Sequence, residues 1–288
     1  MIIDTPQRKI AHSIDLMRRA EPLALRMHPD GFHLAFSGGK DSQVLYHIAQ
    51  MAEVKFKAIM QVTTIDPPEL MAFVRNNYPE VELHRPPMNF YQLLEKKGVL
   101  PNRYNRWCCS ELKEHAGRGQ VTLVGVRAAE STRRAKRKEV ERMNKNKNRR
   151  KQYDDPDILF GATDEMLHQC VKGSDRIVIS PLFQWTDSDV WNFIRGNGIE
   201  YCKLYDEGFH RIGCVFCPMA SPKIHQLERQ RYPGVERAFK RSIQRILDIN
   251  HTWTNYCATA NEVFDWYLSN KRMDEYFGMI RNQTKLEF

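Results

Sequence analysis

The 288-residue sequence has no run of about 18 apolar residues, so it offers no candidate for a membrane-crossing helix. Its first stretch, MIIDTPQRKIAHSIDLMRRAEPLAL, lacks the apolar centre of a secretory signal. The expectation is a soluble, cytoplasmic protein with no membrane partner. Cysteine is scarce. Seven in a chain of this length are too few for a disulfide framework, and their clustering points to ligands instead. There are no internal repeats.

What is present suits a globular core, with 42% apolar and 27% charged residues. The net charge of +9 is unevenly placed: residues 133–151, RRAKRKEVERMNKNKNRRK, hold eleven Lys/Arg against two Glu, and the remainder balances at 33 basic against 33 acidic. Two readings of this segment stand. It is a solvated loop, or it is a contact for a nucleic-acid backbone, since a Lys/Arg cluster releases counterions on binding phosphates. No aromatics interleave with the charges, so stacking on single strands is not indicated.

Along the chain, apolar residues at helical spacing (Ile10, Ile14, Met17, Leu23) predict a helix over 6–27. FHLAFS reads as a buried strand ended by Gly-Gly, SQVLYHIAQMA as a helix and KFKAIMQVTT as a second strand. A helix opened by Pro-Pro follows, then VELHRPP as a third strand and FYQLLEKKGVLP as a helix closed by Gly98. QVTLVGV (120–126) and RIVISPL (176–182) are further strand candidates. Strands alternating with helices predict an α/β fold with a mostly parallel, doubly wound sheet, whose ligands sit beyond the carboxyl ends of its strands. From about residue 222 only amphipathic helical stretches appear. The expected organisation is an α/β domain over 1–221, containing the basic segment and four clustered cysteines, and a helical C-terminal region over 222–288.

The first strand-to-helix junction reads Ser37-Gly38-Gly39-Lys40-Asp41-Ser42. Amides at a helix N-terminus are unpaired and attract anions; glycines allow close approach, and the serines and Lys40 add donors and charge. The pattern is neither G-x-x-x-x-G-K-[ST] nor G-x-G-x-x-G. Helix capping is the plain alternative for Asp41 and Ser42.

Cys108 and Cys109 stand together in NRYNRWCCSELKEH, and Cys214 and Cys217 form C-x-x-C in RIGCVFCPMA. Two such pairs make a four-sulfur set, suited to zinc or an iron–sulfur cluster. Adjacent cysteines on a helix point about 100° apart and suit a bulky cluster better than a single ion. A redox dithiol in C-x-x-C would leave Cys108 and Cys109 unexplained. Cys170, Cys202 and Cys257 read as plain buried thiols.

Ser-Gly-Gly-Lys-Asp-Ser is similar to the PP-loop of ATP pyrophosphatases and sulfonucleotide reductases. The CC…C-x-x-C arrangement resembles that of cluster-containing adenylyl-sulfate reductases and of DNA-phosphorothioation pyrophosphatases. TTIDPPELMAFV, GVRAAESTRR and the stretch SPLFQWTDSDVWNFIRGNGIEYCKLYDEGFHRIGCVFCP resemble further elements of the phosphoadenylyl-sulfate reductase superfamily, and together the matches span about residues 30–220. The resemblance implies the adenine nucleotide α-hydrolase-like fold. It also implies nucleotide binding by Ser37, Gly38, Gly39, Lys40, Asp41, Ser42, Thr63, Thr64, Asp66, Arg127, Glu130 and Ser131, with Lys40, Asp41 and Arg127 in the chemistry. A [4Fe–4S] cluster on Cys108, Cys109, Cys214 and Cys217 is implied in the same way, zinc being the alternative. Within GVRAAESTRR the plain alternative is a surface charge for Arg127 and Arg133. Thr186 with Asp189 also reads as a helix cap, and Trp185 and Trp191 as core.

Reductases of this superfamily use a cysteine near the C-terminus in a Glu-Cys-Gly context. The stretch YFGMIRNQTKLEF has no cysteine, and Cys257 in TNYCATANEVF lacks the flanking pattern. The expectation therefore leans to ATP with magnesium, split to AMP and pyrophosphate in a sulfur transfer, with nucleic acid as a candidate acceptor through 133–151. A sulfur-donor or electron-donor protein is an expected partner. Release of sulfite from phosphoadenylyl or adenylyl sulfate is the second reading, and a non-catalytic sensor or partner-dependent subunit is the third.

Overall fold

A computed structural model describes residues 5–143, 160–161, 176–249 and 259–284. Cys170, Cys257 and residues 144–151 of the basic segment lie outside the described residues. The chain divides into two compact units interleaved in sequence: Met1–Gln61, Pro68–His84 and His115–Ile212 form the first, and Val62–Pro67, Arg85–Glu114 and Gly213–Phe288 the second.

The first unit is built on a six-stranded sheet of order β3-β2-β1-β4-β6-β5. β1 (Phe32–Phe36), β2 (Phe56–Gln61), β3 (Glu82–His84), β4 (Val121–Leu123) and β6 (Arg176–Ile179) run parallel. β1 lies between β2 and β4, and its FHLAF is a near-continuous apolar run because a central parallel strand is covered on both faces. α1 (Pro6–Met27) starts where the Thr5 side chain accepts the Arg8 N–H and Pro6 needs no N–H partner; it buries Leu16, Met17, Ala20 and Leu23. α2 (Lys40–Met51) follows β1 directly and buries Val44, Leu45 and Ile48, each worth about 1.5–3 kcal/mol. α3 (Pro68–Asn77) follows the Pro-Pro pair.

β5 (Val140–Met143) pairs antiparallel with β6 at the sheet edge. The described part of the basic segment, 133–143, is therefore not a plain loop. Residues 132–135 form a short helix, α6 (Thr132–Ala135), and the next residues add an edge strand with Val140 and Arg142 buried.

The second unit is helical. α4 (Phe90–Lys97) opens with a capping box between Asn89 and Gln92 and ends at Gly98, whose φ of +64° is the left-handed conformation that glycine adopts freely. α5 (Trp107–Leu112) carries the first cysteine pair. Among the described residues beyond 213 come α8 (Pro222–Arg231), α9 (Pro233–Ile249), α10 (Ala260–Ser269) and α11 (Met273–Thr284), while α7 (Asp187–Gly196) belongs to the first unit. Pro233 cannot continue α8, so the single amphipathic stretch breaks into two helices there. Phe90, Phe216, Phe239 and Phe264 are fully buried and interlock, with ring centroids 5.0 Å apart for Phe90 and Phe239 and 5.2 Å for Phe216 and Phe264. No helix among the described residues is long and apolar enough to cross a membrane.

Candidate functional site

Ser37–Gly39 bridge β1 and α2 at the carboxyl end of the central strand. Gly38 has φ +70°, and a Cβ there would stand 2.6 Å from Val74 Cγ2 and 2.8 Å from Leu70 Cδ1 of α3, so only glycine fits. The two serines hold the loop from inside: Ser37 N–H donates to Ser42 Oγ (3.1 Å), and Ser42 Oγ donates to the Gly39 carbonyl (2.8 Å). Gly39 caps α2 with no side chain of its own. The first helical amide, Lys40 N–H, donates to the Tyr205 hydroxyl at 2.8 Å.

Two cations face this loop, and both are buried: the Lys40 side chain is 6% exposed and that of Arg127 4%. Arg127 Nε donates to Asp41 Oδ1 (2.6 Å), and its Nη2 donates to Asp187 Oδ1 (3.0 Å). Lys40 Nζ lies 3.0 Å from the same Asp187 oxygen and 3.5 Å from Asp41 Oδ2. Burial alone would raise the Asp187 carboxyl, but hydrogen bonding and charge from Lys40, then Arg127, outweigh it and hold the group below its ordinary range. Gly125 makes room for the quartet, since a Cβ there would sit 3.0 Å from the Asp41 carbonyl.

Glu130 and Ser131 serve local structure. Glu130 accepts the Arg127 N–H (3.0 Å) and pairs with Arg134, while Ser131 caps α6 by accepting the Arg134 N–H. Thr186 and Asp189 form the capping box their spacing suggests, and Trp185 is core at 3% exposure. Arg127 is buried, not a surface charge.

The second unit gathers all four cysteines. Cys108 and Cys109 occupy the first turn of α5, hydrogen-bonded to each other, and Cys108 feels the charge of Cys109, Cys214 and Cys217. The bond from Cys108, with Arg106 beside it, lowers Cys109 and makes it the thiolate of the pair; donating that bond raises Cys108. Arg106 Nη2 donates to Cys109 Sγ at 3.2 Å. Proximity to Cys214 raises the Lys113 ammonium above its ordinary value against the opposing effect of burial, and burial raises Cys217. Thr63 and Asp66 belong to this unit: Cys214 Sγ donates to Thr63 Oγ1 (3.3 Å), and Thr63 N–H donates to Asp66 Oδ2 (2.6 Å). Thr64, in the left-handed region at φ +67°, accepts the Phe90 N–H through its hydroxyl (2.8 Å). Among the described residues no three His, Cys, Asp or Glu side chains are drawn together as a ready site for a single metal ion. As a donor set, four sulfurs flanked by two cations fit an anionic thiolate-bound cluster.

Three buried side chains brace the C-x-x-C loop, in which Phe216 takes a left-handed φ of +56°. Glu228 accepts the Phe216 N–H (3.1 Å), the Tyr267 hydroxyl donates to the Phe216 carbonyl (2.7 Å), and His225 Nε2 donates to the Cys217 carbonyl (2.9 Å). Burial pushes the Glu228 carboxyl up to about 8, the Phe216 bond only partly opposing it.

The structure thus brings together Ser37–Ser42 with Arg127 in one unit, and Thr63 and Asp66 with the cysteines in the other. No motif in the sequence marks Asp187, Tyr205, Arg106, Lys113 or Glu228. An acidic residue in the first turn of a helix, such as Asp187, is ordinary capping chemistry and carries no further signal.

A mostly parallel α/β sheet with Ser-Gly-Gly-Lys-Asp-Ser after its central strand defines the PP-loop class. The model of the phosphoadenosine phosphosulfate reductase domain matches residues 31–220, and the chain belongs to that family, whose members are enzymes. The uncharacterized protein MJ0973 of Methanocaldococcus jannaschii is 29% identical over 209 residues, 69% of this chain and 44% of that one. Adenosine 5'-phosphosulfate reductase 2 of Bacillus subtilis is 38% identical over 63 residues, 22% of this chain and 27% of that one. The chain spans less than half the length of these curated relatives. The solved structure of the U34-tRNA thiolase NcsA from Methanococcus maripaludis, with its [4Fe-4S] cluster, overlaps at a TM-score of 0.40 and 12% identity, covering 93% of this chain and 82% of that one.

Proposed function

We propose that this chain is an ATP-splitting sulfur-transfer enzyme of the PP-loop type. The observation that supports it is the pair of buried cations, Lys40 and Arg127, at an intact glycine loop with 6% and 4% exposed side chains. Buried cations of this kind stabilise charge on phosphate far better than solvated ones. The loop amides and Ser37 and Ser42 hold the phosphates of ATP, and Asp41 supplies the oxygen ligand that magnesium takes. An acceptor oxygen attacks the α-phosphorus, the bond to the β-phosphate breaks, and Lys40 and Arg127 offset the charge that develops on pyrophosphate. A hydrosulfide-level nucleophile from a donor protein then displaces AMP from the activated carbon.

Cys108, Cys109, Cys214 and Cys217 would hold a [4Fe–4S] cluster, which supplies an electrophilic iron for sulfur when bound. Arg106 and Lys113 offset the charge of the four thiolates, and Thr63 and Asp66 order the loop beside Cys214. Glu130 and Ser131 orient Arg127 and the turn after it. Thr64 pins the start of α4. Nucleic acid is the acceptor class favoured by the basic excess of 133–151.

The similarity to an adenosine 5'-phosphosulfate reductase favours a second reading, in which the ligand is a sulfonucleotide and the product sulfite. Product analysis on anaerobically purified protein separates the two. AMP and pyrophosphate from magnesium ATP, lost in Asp41→Ala, support the first. Sulfite from adenylyl or phosphoadenylyl sulfate with a dithiol, ATP remaining intact, supports the second.

A further inference from the structure

The four charges at the glycine loop are arranged asymmetrically. Lys40 and Arg127 are buried and Asp41 is 23% exposed, yet the Asp187 carboxylate is 62% exposed, the outermost of the four. One of its oxygens, Oδ1, takes both cations at 3.0 Å each. That is the position a ligand phosphate oxygen must occupy to reach Lys40 and Arg127 together. Two cations and two carboxylates cancel, so an entering anion finds no net charge until one carboxylate leaves.

Asp41 is fixed in the first turn of α2 and held by Arg127 Nε at 2.6 Å. Asp187 is free to leave by a rotamer change, because the capping of α7 is carried by Thr186 and Asp189 and not by Asp187. We infer that Asp187 is an internal counter-anion that competes with ligand phosphate for Lys40 and Arg127 and sets specificity for polyanions. A pyrophosphate or triphosphate repays the displacement through several contacts; a monophosphate does not. The inference rests on nucleotide binding at this loop.

The test is titration calorimetry of the full chain with inorganic pyrophosphate and, separately, with AMP, for wild type, Asp187→Asn and Asp187→Glu. Losing two competing contacts in Asp187→Asn tightens pyrophosphate about tenfold. AMP, which cannot displace Asp187 in the wild type, gains more than pyrophosphate, so discrimination between the two ligands narrows, while Asp187→Glu keeps wild-type discrimination. A purely structural role would not raise affinity. Thermal melts check that each variant folds, and Asp187→Ala stands in if Asp187→Asn does not. Wild-type binding with equal or weaker binding in the neutral variants overturns the inference and leaves the nucleotide reading intact. Binding by none of the folded proteins overturns both.

Discussion

Glu228 offers a test whose sign is fixed by burial. Its side chain lies within a residue only 4% exposed, where it accepts the Phe216 N–H inside the C-x-x-C loop, and its carboxyl titrates near 8, up from 4.5. Between those values the folded chain keeps a proton that the unfolded chain has released. The contribution to stability is therefore full below about pH 4.5 and is lost as pH rises through 8. At about 1.4 kcal/mol per pH unit, the loss by pH 7 is on the order of 3 kcal/mol. In Glu228→Gln the amide oxygen can still accept the Phe216 N–H, and no proton is released. Urea unfolding of wild type and variant at pH 5, 7 and 9 should then show the two curves converging in acid. Toward alkaline pH the variant should gain by roughly 3 kcal/mol or more. Cysteine titration is common to both proteins and cancels in the difference. A pH-independent difference between the two would refute the assignment of a buried, neutral carboxyl.

Gly38→Ala forces a left-handed alanine with its Cβ 2.6 Å from Val74, and should cost about 1–3 kcal/mol, read as a lower melting temperature, with anion binding abolished. Arg127→Met leaves Asp41 and Asp187 with Lys40 alone; a loss of roughly 2–4 kcal/mol in chemical denaturation is expected, discounted for the exposure of Asp187, together with loss of turnover. Serine at any one of Cys108, Cys109, Cys214 or Cys217 should abolish iron uptake on anaerobic reconstitution, followed by visible absorbance and iron assay. Cys202→Ala, outside the set, should leave it unchanged. Replacing the Lys/Arg of 133–151 with Ser should weaken nucleic-acid binding and flatten its salt dependence; an unchanged slope would remove that segment as a backbone contact.

The central strands were legible because parallel strands buried on both faces are plain apolar runs, as in FHLAF. β5 was not, since an edge strand reading Val-Glu-Arg-Met inside a basic stretch is held by backbone pairing to β6 and not by its own pattern. The glycine loop was legible because its backbone demands, Gly38 above all, leave a fixed residue signature. Asp187 and Glu228 were not. Each sits in a polar helical stretch that looks solvated, and only tertiary packing puts the first on two buried cations and the second under the cysteine loop.

The interleaving of the two units has a consequence for synthesis. In the helical unit, Phe90 packs at a tilt against Phe239 and the Ile65 carbonyl takes the Val215 N–H, contacts separated by about 150 residues of chain. Residues 62–67 and 85–114 leave the ribosome long before the segment that completes their core, whereas β1, α2 and β2 find one another locally. Closure of the helical unit carries the greater loop entropy and should be the slow, late step of folding. A C-terminal truncation before α9 would then release a nascent chain with a formed sheet and an exposed aromatic surface around Phe90 and Trp107, the kind of intermediate that chaperones hold.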